Sequence, residues 1–473
     1  MSFKIKLHKL LFLTLLINNQ SFGQTTSRPN ILFIFADDLG YMDCGFTGSK
    51  TFETPHLDAL AKKGMTFRNA YAGAGNCAPS RGCLLSGQYT PRHGIYAVGS
   101  TTRGPKEKMK VVPVRNTASL APSFVTMAEA LQKQGYKTGL FGKWHLGISP
   151  ETQPEAQGFE VYFDSRKDNP NKKRDEPEDP KGIFSLTKAA CDFMSNSKGK
   201  PFFAYLAHHA IHSTLEAKPA TIERFKKKGL DNKTALYAAC VYDFDASIGL
   251  IMDFLKKSGL DKNTLVVFTS DNGATQQSSQ EPLRGNKGGY YEGGIREPFI
   301  AYFPERIKPN TVNETPIINL DLYPTFVTLA GGEADKKLDG ESLLPLFFGT
   351  QTTTKRQNIF WHFPGYLDDP VIRGRDNDFR TRPVTAMRKG NWKIHVYHEE
   401  WVLNKGEARK EGIELYDLQN DEGERIDLSK SNPTKREELL KDVLAWWKKT
   451  SAKLPVPIDA QHTLKSDENE EGN

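Results

Sequence analysis

Asn30-Ile31-Leu32-Phe33-Ile34-Phe35-Ala36-Asp37-Asp38-Leu39-Gly40 is a continuous apolar run that stops on two carboxylates. A strand with one wet face alternates apolar and polar residues. A run without alternation predicts a strand buried on both faces, in a parallel sheet covered by helices. Three later runs repeat the form. Thr138 to Phe141 leads into Gly142-Lys143-Trp144-His145-Leu146-Gly147, Pro201 to Ala207 into His208-His209-Ala210-Ile211-His212, and Thr264 to Ser270 into Asp271-Asn272-Gly273. The expected fold is α/β, a large mixed, mostly parallel sheet sandwiched by helices. Such strands deliver their carboxyl ends to one edge, where ligands of open α/β sheets sit. That edge would gather Asp37, Asp38, Asp271 and Asn272 with Lys143, His145 and one of the three histidines. Three converging carboxylates repel one another unless a cation lies between them, and an all-oxygen donor set favours calcium or magnesium over zinc.

Between these strands the helix signals are local. Thr54-Pro55 opens a helix with Thr54 as N-cap, closed at Gly64, and Met65 to Ala72 reads as a strand. In Asn76-Cys77-Ala78-Pro79-Ser80-Arg81-Gly82-Cys83-Leu84-Leu85-Ser86-Gly87, the residues from Ser80 to Leu85 read as a helix start. Cys77 then lies near a helix N-terminus, which favours negative charge. Thr126-Met127-Ala128-Glu129 is a capping box for a helix to Gln134. A long helix runs from about Thr234 to Lys257, with Asp243 and Asp245 on a solvated or structural face. Leu283 to Pro298 is glycine-dense, a loop of close backbone approach with Lys287 as its central cation. The charged stretch 165–182 reads as an exposed insertion.

From about residue 350 the pattern changes to a smaller α+β subdomain. Trp361-His362-Phe363-Pro364 and the stretch Arg373 to Arg382 read as loops. Val384 to Arg388 and Trp392 to Tyr397 read as antiparallel strands, Leu415-Tyr416-Asp417 as an added edge, and Glu437 to Lys448 as an amphipathic helix. The expected division is a signal peptide at 1–23, a catalytic domain at 24–350, a C-terminal antiparallel-sheet subdomain at 351–463 and a disordered acidic tail at 464–473.

Lys4, Lys6 and Lys9 precede a short apolar core, Leu10 to Ile17, and Ser21 and Gly23 supply small residues for cleavage near Gly23. The protein is therefore expected to be periplasmic or secreted. No other apolar run reads as a membrane span, and no anchor is expected. The formal net charge of +7, three of it in that leader, is too mild to argue for nucleic acid and fits an anionic ligand. The five cysteines are sparse and odd in number, against a disulfide framework, and their spacings do not suit zinc.

The motifs Ala-Asp-Asp-Leu-Gly, Cys77-x-Pro79-Ser80-Arg81, Gly-Lys-Trp-His-Leu-Gly, Ser-Asp-Asn-Gly and Lys-Gly-Gly-Tyr-Tyr-Glu-Gly-Gly-Ile-Arg, with a closing Glu414-Leu415-Tyr416-Asp417-Leu418, resemble in identity and order those of the type I, formylglycine-dependent sulfatases of the alkaline phosphatase superfamily. The resemblance implies an alkaline phosphatase-like fold and a secreted bacterial polysaccharide sulfatase. It implies that a maturation enzyme oxidises Cys77 to Cα-formylglycine (3-oxoalanine), whose hydrate attacks sulfur. Asp37, Asp38, Asp271 and Asn272, with residue 77, would bind one Ca²⁺. Arg81 and Lys143 would hold the hydrated aldehyde, Lys143 and Lys287 would meet the sulfate charge, His212 would protonate the leaving oxygen, and His145 would remove the proton that lets sulfate depart. The family commonly has prolines flanking the histidine matched by His212. Here Ile211 and Ser213-Thr214 stand there, so His208 and His209 stay open for that role. His362, near aromatic residues, is an expected contact to a sulfated saccharide. The competing readings are a formylglycine-dependent phosphonate or phosphodiester hydrolase and a non-catalytic glycan-binding relative.

Overall fold

The computed structural model describes residues 28–166, 176–197, 199–404, 412–459 and 462–464. The leader at 1–23, the middle of the 165–182 insertion and the acidic tail from 465 lie outside the described residues. Strand β1 (Asn30–Ala36) is the axis of an eight-stranded sheet. The other strands are β2 (Met65–Phe67), β3 (Lys137–Gly142), β4 (Val161–Phe163), β5 (Phe202–Ala207), β6 (Thr264–Ser270), β7 (Ile300–Tyr302) and β8 (Thr311–Asn313), in the spatial order β8-β2-β7-β6-β1-β5-β3-β4. β1 pairs in parallel with β5, Ile31 opposite Phe203, and with β6, Ile31 opposite Leu265. Only β7 runs antiparallel to its neighbours.

The unbroken hydrophobicity of β1 serves two cores. Ile31, Phe33 and Phe35 pack with Met127, Leu131 and Phe326, from helices α3 (Met127–Lys133) and α6 (Leu322–Leu329). Leu32, Ile34 and Ala36 pack with Leu57, Leu186, Phe244 and Ile248, from α1 (Pro55–Lys63), α4 (Ile183–Asn196) and α5 (Asn232–Ser258). Contrary to the sequence reading, α5 is long and apolar enough to cross a membrane. It is a core helix here, with 72% of its apolar window buried inside the fold.

Several local expectations change in the structure. Met65 to Ala72 is not one strand: a turn at Arg68-Asn69 moves Ala70-Tyr71 into a separate three-stranded sheet. Thr54 does not cap α1 with its hydroxyl, which accepts from Gly45 N at 2.8 Å and donates to Asp58 at 3.0 Å. Asp245 of α5 caps it instead, accepting from His56 N at 2.9 Å and Leu57 N at 2.8 Å. Asp243 likewise accepts from Lys218 N and Thr221, so both aspartates are structural. Asp245→Ala is expected to lower stability by about 1–2 kcal/mol, read by urea unfolding. An unchanged midpoint would show that the orphan N–H groups of α1 are satisfied otherwise. The described flanks of the insertion are not exposed throughout: Arg166 and Lys181 are buried, Arg166 on Glu216 at 3.1 Å.

The C-terminal sheet is β9 (Asn358–Phe363), β10 (Val384–Lys389), β11 (Trp392–Tyr397) and β12 (Ile413–Asp417), antiparallel in that order. Residues 361–363 therefore form part of a strand, not a loop. The run Ile359 to Phe363 has the aromatic β-propensity of a strand, and the turn signal of Pro364-Gly365 applies only after it. Helix α7 (Pro433–Thr450) buries Leu439, Leu440, Val443, Trp446 and Trp447 against this sheet. Trp361 ties it to the first unit by donating from Nε1 to Ala72 O at 2.8 Å.

Candidate active site

The ends of β1, β3, β5 and β6 meet as the parallel pairing requires. The β1–β5 ladder continues past the strands: Asp37 N donates to Ala210 O at 2.9 Å and Ile211 N to Asp37 O at 2.6 Å. Asp38 then turns to φ +66°, a left-handed conformation that aspartate tolerates better than most residues. Its N–H donates to Asp271 Oδ1 at 3.1 Å, which locks the ends of β1 and β6 together. A side chain at Gly40 would come within 2.4 Å of the Gln280 amide and displace it from Met42 N and Asp43, so glycine leaves that amide its place.

Helix α2 (Cys77–Ser86) starts at Cys77, three residues before the sequence reading placed it, and every residue in it is buried. Asn319 pins the first turn by donating to Ser80 O and Oγ at 3.1 and 2.9 Å. Arg81 lies one turn after Cys77, on the same face. It donates from Nε and Nη2 to Asp271 Oδ2 at 3.2 and 2.9 Å and from Nη1 to Lys143 O at 3.0 Å. Cys77 Sγ stands 3.5 Å from Asp37 Oδ1 and 3.9 Å from Asp38 Oδ1.

Two lysines close the ring. Lys143 Nζ donates to Asp37 Oδ2 at 2.6 Å. Lys287 Nζ donates to Asp38 Oδ1 at 2.6 Å and meets Cys77 Sγ at 3.1 Å. The glycine-rich loop places Lys287 through Lys287 N to Ala274 O at 2.8 Å and Gly288 N to Gly75 O at 2.7 Å. Asn272 Nδ2 donates to Asp38 Oδ1 at 2.7 Å.

The charges set one another. Burial raises the Asp37 carboxyl, but Lys143, His212, Arg81 and Lys287 outweigh it and hold the group well below the usual carboxylate range. Asp38 is lowered too, burial being overcome by Lys287 and His212. Asp271 goes the other way, to about 7, through burial and the Asp37 charge, against Arg81. Burial also pushes the Cys77 thiol up, against Lys143 and Lys287, so this cysteine is a poor thiolate.

The histidines separate clearly. His208 is buried against the Phe244 ring, and His209 is tied to Asp164 at 2.7 Å. His212 faces the site, with Nε2 3.9 Å from Asp38 Oδ2 and a side chain 39% exposed. Of the three histidines, His212 is the one the fold brings to the Asp38 carboxylate. His145 sits in the field of Lys143 and Arg81, which together with burial hold its pKa far below the usual imidazole range. It reaches this place through a left-handed backbone at φ +64°, not through the alternation of an extended segment. His362 does not belong to the site. It is buried in the C-terminal core, with Nδ1 on Thr385 at 2.8 Å and Nε2 on Lys453 O at 3.0 Å. A histidine in a strand flanked by Trp361 and Phe363 packs with them.

The donors fit a hard dication. Ligand atoms of Asp37, Asp38, Cys77 and Asp271 all lie within 4.8 Å of one another. Asp38 Oδ2 and Asn272 Oδ1 are buried without a hydrogen-bond partner among the described residues, and buried oxygens seldom stay so.

Comparison with known proteins gives a consistent result. A family model described as Sulfatase matches residues 29–332, and one described as N-sulphoglucosamine sulphohydrolase, C-terminal, matches 286–449. A Formosa agariphila protein named Sulfatase is 30% identical over 96% of this chain and 97% of its own. N-acetylgalactosamine-6-sulfatase of Rattus norvegicus is 31% identical over 84% of this chain and 76% of its own. The solved structure of Ps i-CgsB in complex with k-i-k-neocarrahexaose is 28% identical with a TM-score of 0.71, covering 89% of this chain and 93% of that one.

Proposed function

The chain belongs to the sulfatase family and is a sulfuric ester hydrolase, and from that premise we propose that it removes sulfate from a sulfated carbohydrate, a polysaccharide or an oligosaccharide cut from one. The observation that carries this reading is the ring around Cys77, in which Asp37, Asp38 and Asp271 face Arg81, Lys143 and Lys287. Three acids and three cations balance, so a dication added to the ring leaves the pocket positive, as an anionic ester requires. Relatives with a galactosamine sulfatase name and a carrageenan-oligosaccharide complex support a sugar as the alcohol part.

Asp37, Asp38, Asp271 and Asn272, with residue 77, would hold one Ca²⁺, through oxygens that include the two without hydrogen-bond partners. When bound, that ion would draw charge from a sulfate oxygen. Formylglycine at position 77, made by a formylglycine-generating enzyme, would supply a hydroxyl nucleophile where burial disfavours the thiolate. The remaining work belongs to the chain. Arg81 fixes the first turn of α2 against β3 and β6, and so orients position 77. Lys143 and Lys287 bind the sulfate oxygens. His212 donates from Nδ1 to Ser213 O at 2.5 Å, which leaves Nε2 facing the site, where the imidazolium form would give its proton to the leaving oxygen. His145 Nδ1, buried with no hydrogen-bond partner among the described residues, is the acceptor on the inner side. Export to the periplasm or beyond completes the reading, on the strength of the residues from Lys4 to Gly23.

The test is sulfate release from a panel of sulfated glycans, with an aryl sulfate and an aryl phosphodiester as controls, using protein co-expressed with the maturation enzyme. The expected result is release from at least one glycan, abolished by a chelator, with residue 77 oxidised in the peptide mass spectrum. Turnover of the aryl sulfate alone removes the carbohydrate reading, preference for the phosphodiester moves the enzyme to the alternative class, and an intact thiol in active enzyme removes formylglycine.

A further inference from the structure

The aliphatic stem of Arg380 stands on the loop that carries Lys287. A Cβ at Gly288 would lie 2.3 Å from Arg380 Cδ and 3.5 Å from Leu367 Cδ1. The stem of Arg380 thus rests on the peptide next to the lysine that holds Asp38 and Cys77. Its backbone is pinned by Arg380 N to Leu367 O at 2.8 Å. Its head is anchored by only one normal hydrogen bond, Nε to Asp369 O at 3.1 Å. Nη2 makes a 3.5 Å contact to the mostly exposed Asp369 carboxylate, and Nη1 makes no hydrogen bond among the described residues. The side chain is nevertheless only 20% exposed. Arg103 reinforces the charge from the facing loop, where Arg103 N donates to Tyr366 O and the guanidinium pairs with Asp368 at 2.5 Å. Burial lowers the Arg380 guanidinium below the usual range and Arg103 adds to the fall, while Asp369, Asp368 and Asp38 oppose it. Arg380, loosely paired with Asp369, therefore lies beside the Lys287 loop, with Arg103 held on Asp368 near it.

Resting on the carbohydrate-sulfatase reading, we propose that Arg380 is a specificity residue that binds a second anionic group of the saccharide, a further sulfate ester or a carboxylate, next to the sulfate being removed. A planar fork with Nη1 open, and Nη2 held only by a 3.5 Å contact to Asp369 that an incoming anion can replace, matches either anion in bidentate geometry. Lys143 and Lys287 are taken up by the reacting sulfate and Arg103 is held by Asp368 at 2.5 Å, so a neighbouring charge falls to Arg380. The substrate class is then a saccharide with at least two anionic groups, and a small aryl monosulfate does not use this contact.

The test compares the mature enzyme with Arg380→Gln and Arg380→Lys on three substrates: an aryl monosulfate, a disulfated oligosaccharide and an oligosaccharide with one sulfate and one uronate. Arg380→Gln is expected to lose about 10- to 100-fold in kcat/KM on the saccharide with the matching second anion, mostly through KM. It should lose less than about threefold on the aryl ester, which lacks that contact, and Arg380→Lys should recover part of the loss. The saccharide that shows the loss tells sulfate from carboxylate. Binding of the same saccharides to Cys77→Ala, with and without Arg380→Gln, by calorimetry should show the same ratio without turnover. Equal losses on all three substrates, or none on any, overturn the proposal. A wild-type enzyme that prefers singly charged sugars also overturns it while leaving the sulfatase reading intact, whereas no sulfate release from any sugar overturns both.

Discussion

Arg81→Met is expected to destabilise the protein by about 3–5 kcal/mol, the usual result of removing one partner from a buried ion pair. Arg81 and Asp271 have no exposed side-chain surface, so the carboxylate left behind gains no water. The same change should lower kcat by about 100-fold or more, because a displacement near 1 Å at the reacting group is enough for that. Arg81 is the strut that sets position 77 relative to β3 through Lys143 O and to β6 through Asp271. Arg81→Lys separates the two effects. It keeps the charge but cannot span Asp271 and Lys143 O together, so stability should return further than kcat. Thermal unfolding and single-turnover kinetics on an aryl sulfate make the comparison. A folded Arg81→Met with wild-type turnover would show that position 77 is held by the helix alone.

Lys393→Met should be as damaging to stability, by about 3–5 kcal/mol, with no part in the chemistry. Lys393 is fully buried and bridges Glu292 Oε1 and Glu424 Oε1, each at 2.9 Å. Methionine would leave two buried carboxylates side by side. The two acids share the lysine unequally. Burial raises Glu292, but Lys393, Arg388 and Arg296 outweigh it and hold it at about 2. Glu424 is pushed up to about 7 by burial, which Lys393 only partly offsets, with Glu292 adding to the rise. The folded state therefore binds the Glu424 proton more tightly than the unfolded chain. This group's contribution to stability is greatest below its ordinary pKa near 4.5 and falls as pH rises to about 7. Glu424→Gln should flatten that decline and recover part of the Lys393→Met loss in a double variant. Urea midpoints between pH 4.5 and 7 measure both. A single variant with wild-type stability would show that water reaches the cluster.

The sequence by itself determined the sheet and what its edge carries. Four unbroken apolar runs could be satisfied only by burial on both faces, and the residues just after them, Asp37, Asp38, Lys143, His145, Asp271 and Asn272, had to share one edge once the strands lay parallel. The capping box at Thr126 was equally legible, because its partners are three residues apart and form a hydrogen bond in each direction, at 3.1 and 2.7 Å. Tertiary structure alone decided whatever depended on distant partners or on backbone hand. Three histidines within five residues look alike as a string. Only the fold sends His208 to Phe244, His209 to Asp164 and His212 to the pocket. His362 looked like a ligand contact because its neighbours are aromatic, and packing made it a core residue. Asp245 caps a helix that begins 190 residues earlier. Lys393 alternates along its strand like a solvent-facing residue, yet its counter-charges come from positions 292 and 424. Local pattern records hydrophobicity and nearby hydrogen bonds, whereas a buried charge is placed by whichever opposite charge the folded chain brings to it.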